Sequence, residues 1–392
     1  MGKARLPPPG SLSLIQWSKD MTPRERILAT LNHHVPDRTP TDGWFHHEVK
    51  ERLKKYYCTD NWNDVLRALG IEGWAGCGPW LEFPEYRERA TLGHGAIPGR
   101  PVVWLDERTF EDEWGVRYRL GEGGWYEEWL SGPLVDAETV ADIERAPLPT
   151  IEQIRQPEDY AGQVAALKAQ GLFVSAGIGN PYRQAWELRG MHNVLADYLV
   201  NRPLLEALYD RLYALFGEMT KRMARAGVDM ISVTGDIAMQ DRIIMGPNSW
   251  RAVDKPRMAR LIEECRAINP DVFFFIHSDG NVMELMDDLV EISFNVINPI
   301  QPECMDPVEV KRRWGDKITL HGGISLQRTL PFGTPEQVRE EVEELIRKCG
   351  YNGGLVVFPS NVIQPDTSVE NIIACFHAAR DFDVASLGGK PG

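Results

Sequence analysis

Residues 272–302 read VFFFIHSDGNVMELMDDLVEISFNVINPIQP, and the fold is decided on this stretch. The run 272–276 is wholly apolar, rich in aromatics and too short for a solitary buried helix, so it predicts a strand covered on both faces. It stops at His277-Ser278-Asp279-Gly280-Asn281, where every residue is polar or glycine. A helix is predicted over 282–290 and a second strand over 292–297. Strand, polar tip, helix and strand make a crossover unit, and parallel α/β folds bind ligands at the C-terminal tips of their strands. A lone loop histidine is ordinarily just hydrogen-bonded in place. Three functional side chains at one strand tip point instead to a site.

The alternation continues along the chain. Strands are predicted near residues 40, 72, 174, 231, 274, 295, 319 and 356, separated by helical patterns such as 48–57, 62–69, 158–170, 182–199, 204–226 and 250–268. The first helix announces itself by Thr22-Pro23 followed by Glu25, a capping box with proline in the first turn. Eight strands alternating with helices predict an α/β chain folded as a (β/α)8 TIM barrel rather than an open sheet. Residues 80–150 depart from this rhythm. They alternate polar with aromatic or β-branched residues, with turns expected near Gly99 and over 121–124, and predict a small antiparallel β insertion. Trp74, Trp80, Trp104, Trp114, Trp125 and Trp129 lie in or just before it. They either build the thin core of the insertion or wall the barrel mouth. The expected layout is a flexible arm over 1–20, one barrel with its insertion over 21–380, and a tail over 381–392.

Composition narrows the function. Lys+Arg 43 against Asp+Glu 57 leaves a net charge of −14, which argues against a nucleic-acid partner. No apolar stretch approaches the roughly 20 residues of a membrane span, and the N-terminal residues do not read as a signal peptide. Six scattered cysteines without a CxxC pair suit a reducing, cytoplasmic setting and exclude an all-cysteine zinc site.

The predicted strand tips carry Asp42 and His46, Asn180, Asp236 with Gln240, His277 to Asp279, Asn298 with Gln301, His321, and Ser360-Asn361. Polar tips on apolar strands indicate an enzyme. His277, His321, Asp236 and Asp279 offer nitrogen and oxygen ligands for a single metal ion, and equally the groups of a metal-free proton-transfer site. Glu187 in AWELRG is a further acid, more simply read as a helix-surface carboxylate.

Several segments taken together resemble the uroporphyrinogen decarboxylase superfamily: MTPRERILATLNHHVPDRTP at 21–40, TFEDEWGVRYR at 109–119, AWELRG at 185–190, TGDIAMQD at 234–241, HSDGN at 277–281, NPIQPECMDP at 298–307, LHGGIS at 320–325, LPFGTPEQVREEV at 330–342 and IQPDTSVENI at 363–372. The resemblance implies a (β/α)8 barrel. True decarboxylases of this kind share an arginine-rich WxMRQAGR-like segment for substrate carboxylates; here the corresponding residues 40–47, PTDGWFHH, contain no arginine. The chain looks closer to the cobamide-dependent methyltransferase branch. Thiol-methylating members hold zinc through His-x-Cys and a later Cys, whereas this chain has Asp279 after His277 and Ser360 near the later position. An oxygen and nitrogen set suits an oxygen leaving group.

The resemblance therefore implies O-demethylation of a small methoxylated, aromatic donor, with the methyl group passing to the Co(I) form of a separate corrinoid protein. Zinc would lie on His277, Asp279 and Asp236, which are also the expected catalytic residues. Asp42, His46, Asn180, Gln240, Asn298, Gln301, His321 and Ser360 would line the substrate site. Decarboxylation of a tetrapyrrole, with Asp42 or a neighbour stabilising a protonated ring, is the rival, and a non-catalytic corrinoid or tetrapyrrole binder a third reading. A homodimer is the expected assembly.

Overall fold

The structure, a computed structural model, describes residues 21–72, 74–92, 101–122 and 127–388. Among these, seven parallel strands form one sheet in the order Ala75–Gly76, Val174–Gly179, Met230–Thr234, Phe273–His277, Val296–Ile300, Thr319–Ile324 and Leu355–Pro359. The segment around Thr41 supplies the eighth stave. Thr41 bridges Val357 in parallel, the Asp42 N–H donates to Val357 O at 3.1 Å, and the Glu72 N–H donates to Thr41 O at 3.3 Å. The last strand is thereby joined to the first, and the TIM-barrel expectation holds. No described helix is long and apolar enough to cross a membrane.

The strand near residue 72 is much shorter than expected. Only Ala75 and Gly76 pair with Val174 and Ser175, because Glu72 is drawn into an ion cluster instead. Its carboxylate, fully buried, accepts from Arg26 at 2.8 Å and pairs with Arg38, while Arg26 also holds Asp37. A second cluster pins the N-terminal rim. Asp229 accepts the Val174 N–H at 3.0 Å and pairs with Arg24 and Lys168.

Two further boundaries differ from expectation. The strand placed at 292–297 begins only at Val296. Ile292 and Phe294 are buried, but they finish the preceding helix: their N–H groups donate to Asp288 O and Leu289 O, and Ser293 turns the chain with φ 73°. This shift draws Asn298 inside the strand, fully buried. The helix placed at 182–199 is two helices, Pro181–Arg189 and Met191–Val200, broken at Gly190 with φ 86°. A Cβ there would lie 3.1 Å from the Trp129 ring, whose Nε1–H donates to Glu187 O.

The insertion is a five-stranded antiparallel sheet: Thr91–Leu92, Pro101–Trp104, Thr109–Glu111, Arg117–Leu120 and Glu127–Ser131. The pairing of Trp80–Leu81 with Ile154–Arg155 closes its base. Trp104 packs on Phe110, Trp114 meets Phe83 and Phe216, and Trp80 is exposed. These rings therefore build the insertion and its seat. Gly99, Trp125 and the end of the 121–124 turn lie outside the described residues, as do residues 1–20 and the last residues of the expected tail.

Behind the barrel, Asp254 on the helix Pro247–Ile268 is buried with Tyr198 and Tyr209; Tyr198 donates to its Oδ2 at 2.7 Å and shares a 2.6 Å contact with Tyr209. Burial pushes this carboxyl up to about 7, against the pull of the two hydroxyls. Its folded pKa is above its unfolded one, so its contribution is fully present at low pH and is lost as pH rises through the folded value. Chemical denaturation should show wild type gaining stability relative to Asp254→Asn as pH falls from about 8 to about 5. A pH-independent difference between the two would refute this.

Candidate active site

Parallel strands bring all their C-terminal ends to one rim, and register sets which tips meet. Thr234 pairs with His277, and His277 with Asn298. Alternation along the central strand sends Phe274 and Ile276 toward the helices and Phe275 and His277 toward the axis. The loop after His277 then folds onto the loop after Thr234. The Asn281 N–H donates to Met239 O at 2.7 Å, and Gly280 takes φ 89°, where a Cβ would lie 2.3 Å from Met239 O. This approach places Asp279 beside Asp236.

Three acceptor groups face one another there. His277 Nε2 is 3.9 Å from Asp236 Oδ1 and 4.0 Å from Asp279 Oδ1. The Asp279 N–H donates to Asp236 Oδ1 at 2.8 Å, and Asn361 Nδ2 donates to Asp279 Oδ2 at 2.6 Å, which fixes both carboxylates. Asp279 Oδ1 is enclosed and has no hydrogen-bond donor among the described residues. Burial and then the Asp236 charge push the Asp279 carboxyl above the usual range. The imidazole is 10% exposed and the two carboxylates 40% and 37%, so the group opens at the rim.

The far side of His277 explains its orientation. His277 Nδ1 lies 2.6 Å from Asn298 Oδ1, and Asn298 Nδ2 lies 2.7 Å from His321 Nδ1 and 3.4 Å from His321 O. An atom facing a carbonyl oxygen and a ring nitrogen has to be the amide NH2, which assigns the rest. Nδ1 of His321 accepts and Nδ1 of His277 donates, so the Nε2 lone pair of His277 is aimed at the two carboxylates. His321 is buried, its Nε2 3.3 Å from Asp42 Oδ2. Aromatic rings pack this pair: Trp44 on His277 (5.4 Å), Phe358 on His321 (4.6 Å), and Trp74 and Phe275 against His321 (5.4 and 5.5 Å).

An imidazole lone pair and two carboxylates within 4.8 Å of one another are a ligand set for a divalent cation, with two oxygens and one nitrogen. The orphaned Asp279 Oδ1 and the tautomer imposed by Asn298 both fit such an ion. The amide performs the second-layer task that carboxylates or carbonyls perform at histidine-bound metals.

The other expected site residues are placed as follows. Gln301 accepts the Gly280 N–H at 3.2 Å and steadies the loop. Asn180 caps the helix Pro181–Arg189 and reaches Gly235 O. Ser360 donates to Ile324 O at 2.7 Å, while its neighbour Asn361 reaches Asp279. His46 caps the helix His47–Tyr57, and Gln240 is exposed on the loop after Thr234. Glu187 pairs with Arg183 on its own helix. The rings nearest the centre, Trp44 and Phe358, were not among the expected residues, because an aromatic in a strand carries no mark of which side it faces.

A cavity of about 350 Å³ is lined by Asp42, Trp44, Trp62, Trp74, Thr234 and Phe275 among others, and Trp44 links it to His277, on whose ring it packs. The aromatic wall thus comes from the first and second staves and the helix Trp62–Leu69, with Trp74 its one contributor from the tryptophans set against the insertion.

The uroporphyrinogen decarboxylase (URO-D) family model matches residues 116–382, more than half of the chain. The chain belongs to that family. A solved structure of a methyltransferase from Methanosarcina mazei aligns with a TM-score of 0.62 at 18% identity, covering 93% of this URO-D chain and 99% of that one, which shows a shared fold. A uroporphyrinogen decarboxylase of Pseudoalteromonas translucida (strain TAC 125) is 34% identical over 74 residues, 19% of this chain and 20% of the relative's own length.

Removing the amide tests the assignment. Asn298→Ala should weaken zinc binding about 10–100-fold, measured by competition with a chelating dye, while far-UV circular dichroism is unchanged. Wild-type affinity in a folded variant would sink it.

Proposed function

We propose that this URO-D family enzyme is a methyltransferase that takes the methyl group of a small methoxylated aromatic compound and passes it to Co(I) of a corrinoid held by a separate protein. The observation that carries this reading is the convergence of the His277 Nε2 lone pair with Asp236 and Asp279 at the rim. His277, Asp236 and Asp279 would hold a zinc ion. Bound there, it supplies Lewis acidity at the ether oxygen, so that the departing group leaves as a phenolate.

The protein's own side chains do the rest. Asn298 keeps the Nδ1 proton on His277 and so leaves Nε2 free as a ligand. Asn361 and the Asp279 amide fix the positions of the two carboxylates beside each other. His321 carries its proton at Nε2 beside Asp42, on the inner side of the centre. Trp44, Phe358 and Phe275 pack on the buried imidazoles, and Trp44 and Phe275 would offer ring faces to an aromatic donor. The partial exposure of Asp236 and Asp279 leaves the centre open to an acceptor docking from above.

Decarboxylation of a tetrapyrrole draws on the family and on the 74-residue likeness. Against it, the cavity has about 350 Å³ and a single carboxylate, with no arginine or lysine among its described lining residues. That is poor accommodation for a macrocycle bearing many carboxylates.

Metal analysis of tag-free protein, with methyl transfer to cob(I)alamin followed by absorbance, tests the proposal. About one zinc per chain is expected in wild type, with zinc lost and turnover down at least about a hundredfold in His277→Ala. Turnover at the wild-type rate by that variant would remove the assignment, and release of CO2 from a porphyrinogen by zinc-free protein would establish the decarboxylase.

A further inference from the structure

The cavity selects its ligand by charge as well as by size. Ligand pockets span roughly 300–1,000 Å³, and this one, at about 350 Å³, has room for a single substituted ring. Trp44, Trp62, Trp74 and Phe275 supply aromatic faces, and Ser232 and Thr234 supply hydroxyls. Asp42 is the one titratable side chain among the described lining residues. Its Oδ1 accepts the Gly43 N–H at 2.8 Å and its Oδ2 lies 3.3 Å from His321 Nε2. A carboxylate has about four acceptor positions, so Asp42 retains capacity for one more donor.

This arrangement excludes an anionic ligand. A second carboxylate a few ångströms from Asp42 would meet like charge, with no lysine or arginine among the described lining residues to balance it. It also disfavours an ammonium, despite the aromatic walls. A quaternary ammonium carries no N–H or O–H, so it would leave the spare acceptor capacity of Asp42 unused. A neutral ring with a hydroxyl meets both demands: its faces pack on indole, and its O–H donates to Asp42.

We infer that the methyl donor is an uncharged methoxyphenol, held by Trp44, Trp74 and Phe275 with its hydroxyl on Asp42, rather than a methoxybenzoate or a methylammonium compound. The donor role rests on the O-demethylation reading above; the ligand class rests on the cavity.

Isothermal titration calorimetry of the full-length, zinc-loaded protein at neutral pH provides the test, with 2-methoxyphenol, 4-hydroxy-3-methoxybenzoate and tetramethylammonium as probes. The phenol should bind about a hundredfold more tightly than the benzoate. Asp42→Asn should narrow that ratio to within about tenfold by removing the like charge. Equal or tighter binding of the benzoate, preferential binding of tetramethylammonium, or no heat from the phenol would each overturn the inference. Selective phenol binding without methyl transfer to cob(I)alamin would uphold the ligand class and sink O-demethylation. Transfer from the benzoate ether would do the reverse.

Discussion

Everything at the rim depends on one buried amide. Asn298 spans two imidazoles at 2.6 and 2.7 Å, and an amide can serve two ring nitrogens only by giving a proton to one and taking a proton from the other. It therefore sets the two histidines in opposite tautomers. His277 shows a lone pair to Asp236 and Asp279; His321 shows an N–H to Asp42. Each bond is worth about 0.5–1.5 kcal/mol net, but an unpaired ring nitrogen in this dry environment costs more than the bond contributes. The amide is fully buried and its strand is held on both sides, so the assignment is rigid. A histidine free to rotate or to change tautomer would turn an N–H toward the two carboxylates and would be a poorer ligand for a cation.

Rigidity at the rim has to be matched by closure below it, and the barrel is weakest around its first two staves. One backbone bridge ties Thr41 to Val357, and two residues form the second strand. Buried ions take over where the ladder stops. Arg26 and Arg38 converge on Glu72, with Asp37 on the outer side of Arg26. Removing one member of such a cluster leaves uncompensated buried charge, commonly worth about 3–5 kcal/mol. The gap has a use. Trp44, Trp62 and Trp74 fill it from the first two staves and the helix behind them, and the cavity forms where a full strand would have supplied packed side chains.

Much of this was legible in the chain. The eight strand positions came from apolar runs with polar ends, and the run at 272–276 was the clearest because three phenylalanines and an isoleucine leave a helix no polar face. His277, Asp279 and Asp236 were legible as tip residues. What periodicity could not carry was direction. At the last tip, Ser360 and Asn361 are adjacent and equally polar, yet Ser360 turns to a backbone carbonyl and Asn361 reaches Asp279. Gln240 lies on the Asp236 loop but is exposed, since that loop folds by its backbone onto residues 280 and 281. Burial also misled at 292–297: Ile292 and Phe294 are as apolar as any strand residue, and only the turn at Ser293 tells that they belong to the helix. That four-residue displacement is what carries Asn298 from an expected tip into the core.

The departures from the thiol-methylating pattern now have a spatial meaning. An aspartate at 279, where the resemblance would place cysteine, is not an empty position: its Oδ1 is aimed at the His277 lone pair and left without a donor. Serine at 360 does not replace the later cysteine, because its hydroxyl is committed to Ile324 O. The third oxygen or nitrogen donor of the proposed site would come from Asp236, from the loop after a different strand, fixed by the Asp279 amide. Exchanging two thiolates for two carboxylates makes the site harder and less electron-donating, which raises its pull on a bound oxygen atom. A thiol needs a site that lowers its pKa; an ether needs one that makes its alkoxide or phenolate a better leaving group. On the proposed reading, the ligand set, the anionic cavity and the tryptophan walls suit the second task.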